Sequence, residues 1–192
     1  MPAEDLVSAT REILARRAVT EFETPIVLAS GQTSRFFVDG KAGLSRPDDL
    51  RTACEAIHGL VEAAGIDYDA VGGLTLGADH LCVGVALVSG KEWFIVRKEA
   101  KKRGTARRIE GARLGPGRKV LVVDDVVSTG GSLFSAIDAI AETGAEVVAA
   151  STLLDRGDLA GVVLEERGIA YFALTSYRDF EMPPVVAVTD SV

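Results

Sequence analysis

The stretch VLVVDDVVSTGGSLFSAI, residues 120–137, constrains the fold more than any other part of the chain. Four apolar residues run straight into two adjacent aspartates, followed by two valines, a Ser-Thr-Gly-Gly turn and a helical pattern. So apolar a run reads as a buried strand of a parallel sheet covered by helices. Paired carboxylates at the edge of such a strand repel one another and need a compensating partner. A ligand site at the sheet edge follows from this stretch alone.

The rest of the chain is spaced for the same architecture. Short β-rich runs at residues 69–74, 93–98, 119–125, 147–154 and 169–176 alternate with helical patterns at 79–87, 132–143 and 158–166, which predicts βαβ units. Two helices, at 5–17 and 47–64, precede them, the second closing at Gly65 as a helix C-cap would. Residues 21–41, EFETPIVLASGQTSRFFVDGK, read instead as two short strands around a turn at Ser30 and Gly31, a small antiparallel hood. The expected fold is α/β, a central, mainly parallel sheet flanked by helices. It forms one domain over residues 1–192, with the hood at about 1–45 and the core at about 46–192. Residues 99–111 hold no apolar side chain larger than alanine except Ile109, and read as a mobile loop.

The formal net charge of −7 sets the long-range field against polyanions, so neither nucleic acid nor a membrane surface is an expected partner. Locally the sign reverses. RKEAKKRGTARR, residues 97–108, carries seven Lys or Arg residues against Glu99, which suits a small anion. No apolar run approaches the ~20 residues of a membrane span, and the first residues contain no apolar signal core. Cys54 and Cys82 sit in apolar helical contexts without metal-type spacing and read as buried free thiols. The cytoplasm is the expected location.

With residues 119–123 as a buried strand, Asp124 and Asp125 fall at its C-terminal end, where open α/β sheets place their ligands. Ser128, Thr129, Gly130 and Gly131 then direct backbone N–H groups and hydroxyls toward one point, at a helix N-terminus near Ser132 that adds roughly +0.5 charge. This is a phosphate cradle, distinct from the Walker loop because the lysine of GxxxxGK[ST] is missing, and from the dinucleotide fingerprint because GxGxxG is absent. A ligand meeting both parts offers hydroxyls or a developing cation to the carboxylates and a phosphate about one sugar length away. A ribose 5-phosphate does so.

These residues resemble the phosphoribosyl pyrophosphate (PRPP) motif of the type I phosphoribosyltransferases. The resemblance implies that Asp124 and Asp125 hold the ribose hydroxyls and face an oxocarbenium-like transition state. It also implies that Val126, Val127, Ser128, Thr129, Gly130, Gly131 and Ser132 surround the 5-phosphate. Three further stretches are similar to those of the orotate phosphoribosyltransferases: SGQTSRFFVDGK (30–41), FIVRKEAKKRG (94–104) and LLDRGD (153–158). VGGLTLGAD (71–79) corresponds to the loop that approaches the pyrophosphate.

From that likeness, Arg97, Lys98, Lys101, Lys102 and Arg103 belong to a basic PRPP-binding loop with Lys101 catalytic. The loop acts on the neighbouring subunit's site in a homodimer. Arg156 grips orotate together with Ser128, and Phe36 or Phe37 stacks on its ring, with Phe37 the assigned residue. Magnesium is the implied cofactor, reached by Asp124 and Asp125 through water rather than by direct ligation. The chain departs from the family pattern at Arg103, where RKEAKxHG has histidine, at Ala29, where lysine or a hydroxyl residue is frequent, and at His80. There proline is frequent, and His80 reads as a structural residue.

The implied reaction moves the phosphoribosyl group of PRPP to orotate, giving orotidine 5'-monophosphate and pyrophosphate in pyrimidine biosynthesis. A phosphoribosyltransferase for another base and a PRPP-sensing regulator without catalysis remain as alternatives.

Overall fold

The computed structural model describes residues 2–28, 31–99 and 108–185. Helix α1 (Ala3–Arg17) carries Glu4 and Asp5 in its first turn and Arg16 and Arg17 in its last, charges that suit the helix dipole at both ends. Strands β1 (Val19–Val27) and β2 (Thr33–Val38) pair antiparallel, from Val19 opposite Val38 to Val27 opposite Thr33. Their register slips between Glu21 and Ile26, an interval that contains Pro25, which has no N–H to give the ladder. A single helical turn, α2 (Gly40–Gly43), follows, and then α3 (Pro47–Ala63), which starts on a proline and ends before Gly65 at φ +71°.

The main sheet is built from β3 (Ala70–Leu74), β4 (Glu92–Val96), β5 (Ile109–Gly111), β6 (Lys119–Val127), β7 (Glu146–Asp155) and β8 (Ala170–Ser176). Helix α4 (Asp79–Ser89) links β3 to β4, α5 (Gly131–Ala141) links β6 to β7, and α6 (Leu159–Glu166) links β7 to β8. The strand order is β5-β4-β3-β6-β7-β8, with β5 antiparallel to β4 and the other neighbours parallel. A 3-10 turn at Tyr177–Phe180 follows β8.

Alternation along β6 divides the core into two layers. Leu121 and Val123 join Leu14, Ile57, Leu81 and Leu153 on the face covered by α1, α3 and α4. Val120 and Val122 join Leu133, Ile140 and Leu164 on the face covered by α5 and α6. Sequence counted α1 with the hood, but its Leu6, Ile13 and Leu14 belong to the first of these layers. The small β1–β2 sheet is what stands apart.

Two elements differ from expectation. Residues 109–111 are not loop, because Val96 opposite Ile109 and Phe94 opposite Gly111 add β5 to the sheet edge. Strand β6 continues two residues past Asp125, because β7 keeps pairing with it as far as Val127 opposite Asp155. The chain order reverses between β3 and β6, and β3 pairs with β6 only through Gly72 opposite Val122. Beyond Val122 the two strands part at their C-terminal ends, opening the crevice in which open α/β sheets bind ligands.

Candidate active site

Asp124 and Asp125 lie inside β6, beside that crevice, rather than just past the strand. Consecutive strand residues point to opposite faces. Asp124 therefore turns toward α5 and is 5% exposed, while Asp125 turns toward α2. The carboxylates bend back on the chain: the Asp125 N–H donates to Asp124 Oδ1 at 3.0 Å and the Val126 N–H to Asp125 Oδ1 at 2.8 Å. Burial, with Asp125 beside it, pushes the Asp124 carboxyl up to about 7.

The loop after β3 closes the other side. An ideal Cβ on Gly77 would stand 2.7 Å from Asp125 Oδ1 and 3.1 Å from Asp124 Oδ1, so only glycine lets this loop approach both acids. Just below, a Cβ on Gly73 would strike the Val123 carbonyl. His80, in the first turn of α4, has both ring nitrogens buried and without a hydrogen-bond partner among the described residues, and burial lowers its pKa. Burial thus disfavours the charged imidazolium at the start of α4.

Lys41 reaches the acid pair from the hood, a contact that sequence reasoning missed. Its Nζ stands 3.2 Å from Asp125 Oδ2. Burial alone would lower the Lys41 pKa, but Asp125, Asp39 and Asp124 outweigh it and the net direction is up. The available signal was the basic residue that ends the SGQTSRFFVDGK stretch, to which sequence alone gave no role.

Asp124, Val126, Val127, Ser128, Thr129, Gly130, Gly131 and Ser132 line a cavity of about 220 Å³ at the N-terminus of α5. Gly130 adopts φ +85°, and a Cβ there would run into the Phe134 ring. A larger depression, about 590 Å³, lies between β5 and the C-terminal end of α5. It has neither paired acids nor a glycine turn.

Arg156 sits one residue past β7 and is 2% exposed. Its Nη1 donates to the Phe36 carbonyl at 3.1 Å and its Nη2 to Ser34 Oγ at 3.4 Å, whereas Nε has no partner among the described residues. The described ion pairs give it no carboxylate, and burial lowers its pKa. A buried guanidinium held only by neutral acceptors retains a strong demand for an anion. Its backbone N–H donates to the Val127 carbonyl at 2.7 Å, and a Cβ on Gly157 would meet the Ser128 carbonyl. Arg156 and Ser128 are thereby locked side by side, between the phosphate loop and the hood.

Alternation along β2 puts Ser34, Phe36 and Val38 on the face toward the core, with Phe36 packed against it, and turns Phe37 to the other face at 42% exposure. The ring on Arg156's side is therefore Phe36, not the assigned Phe37. Arg97 follows the C-terminal end of β4, which β3 separates from β6, so the two strands run about 10 Å apart. Its guanidinium contacts Glu110 at 3.3 Å. Lys98 is exposed at the same sheet edge. Lys101, Lys102 and Arg103, like Ala29 and Ser30, lie outside the described residues.

No group of three or more His, Cys, Asp or Glu side chains that could hold a metal occurs among the described residues. Asp124 and Asp125 present hard carboxylate oxygens beside the Gly77 backbone. A divalent cation of the oxygen-preferring kind fits there only if ligand and water oxygens complete its shell. Among the described residues no helix is long and apolar enough to cross a membrane.

The chain is similar to known proteins over most of its length. Residues 64–167 match the phosphoribosyl transferase domain model. The chain is 38% identical to orotate phosphoribosyltransferase of Corynebacterium glutamicum over 170 residues, 88% of this chain and 90% of that protein. A phosphoribosyltransferase structure from Corynebacterium diphtheriae superposes with TM-score 0.78 at 35% identity, covering 92% of this chain and 99% of the other. The orotate phosphoribosyltransferase of Mycobacterium tuberculosis in complex with PRPP superposes with TM-score 0.74 at 30% identity, covering 92% and 99%. The chain belongs to the phosphoribosyltransferase family, and within it to the orotate phosphoribosyltransferases.

Proposed function

We propose that the protein transfers the phosphoribosyl group of PRPP to orotate at the crevice between β3 and β6. N1 of orotate, giving up its proton, bonds to the ribose C1 as the C1–O bond to pyrophosphate breaks. The products are orotidine 5'-monophosphate and pyrophosphate. The 5-phosphate rests on residues 128–132, whose N–H groups and helix N-terminus favour an anion. Asp124 and Asp125 accept the ribose hydroxyls and stabilise the cationic sugar as the bond to pyrophosphate lengthens.

The single observation that carries the choice of base is Arg156. A buried guanidinium without a carboxylate partner among the described residues suits the planar carboxylate of orotate, and its bidentate fork sets the ring in the plane that attack requires. Ser128 borders the same space, and Phe36 supplies the aromatic face. Magnesium fits the acid pair through water, where it supplies positive charge to the pyrophosphate and the ribose hydroxyls. Arg97, Lys98, Lys101, Lys102 and Arg103 neutralise the leaving pyrophosphate, with Lys101 acting in the transition state.

The protein acts as one domain and as a homodimer in the cytoplasm, with the basic loop reaching the neighbouring site. Support for the dimer is the exposure of large apolar side chains on and next to α4: Leu76 before it, and Val83 and Leu87, the last 79% exposed, one turn apart along it. A panel of bases incubated with PRPP and magnesium tests the reading by pyrophosphate release. Orotate should support release, and adenine, hypoxanthine and uracil should not. Release with one of those and none with orotate would reverse the choice of base.

A further inference from the structure

Lys41 is held against the acid pair by more than one contact. Asp39 caps α2 by accepting the Ala42 N–H at 3.0 Å, which fixes the turn that carries Lys41. Gly40 lets that turn lie on β6, since a Cβ there would stand 3.0 Å from Asp125 Cβ and 3.3 Å from Leu153 Cδ1. At the other end of the turn, a Cβ on Gly43 would stand 2.8 Å from that of Ala18. Two glycines and a cap therefore press a one-turn helix against a strand 84 residues further along the chain.

The ion pair at its tip joins a half-exposed ammonium to a mostly buried carboxylate. Asp125 already gives Oδ1 to the Val126 N–H, on the side of the Gly77 loop, and Lys41 holds the remaining oxygen, Oδ2. Ribose hydroxyls that donate to Asp125 need that same oxygen. A lysine ammonium on a four-carbon stem can leave it without moving the backbone. On the far side of the pair, the backbone at Gly77 lies directly against both carboxylates. An anion bound over residues 75–78 is the nearest new partner for a displaced ammonium.

We propose that Lys41 is a two-position residue: counter-ion of Asp125 in the substrate-free protein, and a ligand of the pyrophosphate group once ribose hydroxyls occupy Asp125. The inference rests on the reading of this crevice as the PRPP site. It adds a cation supplied from the hood, in the same subunit as the acids, to those of the basic loop. Exchange of partners also keeps Asp125 neutralised when the site is empty, which limits repulsion within the acid pair.

Calorimetric titration of PRPP with magnesium, pyrophosphate with magnesium, and ribose 5-phosphate into the parent, Lys41→Met and Lys41→Arg proteins tests this. In Lys41→Met, loss of a charge-assisted contact should weaken PRPP and pyrophosphate about 10- to 100-fold. Ribose 5-phosphate binding should stay within about twofold or tighten, because its competitor at Asp125 is gone. Lys41→Arg should restore most of the PRPP affinity, with melting temperatures confirming that both variants fold. PRPP binding in Lys41→Met within about twofold of the parent would overturn the proposal. So would an equal loss for ribose 5-phosphate, which would reduce Lys41 to shaping the acid pair. A parent protein that binds ribose 5-phosphate but not PRPP would instead count against the reading of the whole site.

Discussion

Asp124 and Arg156 are the two side chains whose surroundings are least comfortable for a charge. Burial raises Asp124 to about 7 from 3.8, so between those values the folded protein holds a proton that the unfolded chain has released. Stability of the ligand-free protein should therefore fall as pH rises from about 4 to about 7. Melting curves over that range should show the decline, and Asp124→Asn should flatten it. Binding PRPP through an ionised Asp124 must expel the same proton. Calorimetry near pH 6 in buffers of different ionisation enthalpy should register proton release and weaker affinity than at pH 8; unchanged affinity would mean that Asp124 does not meet the ligand ionised. At the other end of the site, Arg156→Lys keeps the charge and loses the fork. We expect kcat/KM for orotate to fall about 100-fold, roughly one strong bidentate contact, with PRPP affinity unchanged. An equal loss for PRPP would show that Arg156 holds up the site instead of reading the base.

Elements set these residues in place through close backbone approach. Gly77→Ala should weaken PRPP binding at least tenfold, since its methyl group meets both carboxylates, while changing the melting temperature little because that methyl meets the acids rather than the apolar core. Loss of stability without loss of affinity would contradict that placement. The glycines of the phosphate turn and the acids were legible from residues 120–137, because apolar run, acids and turn are contiguous. The βαβ order was legible too, since helices and strands differ in period. What was hidden depends on pairing across the chain. Strand β5 has three residues and exists because β4 offers it a ladder. The extension of β6 to Val127 is imposed by β7. The choice between Phe36 and Phe37 turns on the register of β2, which two adjacent aromatic residues cannot reveal. Lys41 meets Asp125 only after α2 docks on β6, a contact 84 residues apart that no local pattern encodes.

At the scale of the whole molecule, the parallel sheet gathers the C-terminal ends of β3, β6 and β7 at one edge, so that the Gly77 loop, the acids with their glycine turn, and Arg156 converge although they come from three separate stretches. Leu76 is exposed on the loop after β3, and Val83 and Leu87 are exposed one turn apart on α4, which leads back from that edge. Leu87→Glu should shift the protein from dimer to monomer in sedimentation, with a fall in turnover as the loop of the neighbour is lost; a parent protein that sediments as a monomer with full activity would remove the second subunit from the account. The most direct test of the central claim is a crystal structure with PRPP, magnesium and orotate bound. The account predicts the 5-phosphate within about 3 Å of the N–H groups of residues 129–131, the ribose hydroxyls on Asp124 and Asp125, and the orotate carboxylate on Arg156. A 5-phosphate seated away from that turn, or a base whose carboxylate does not meet Arg156, would contradict it.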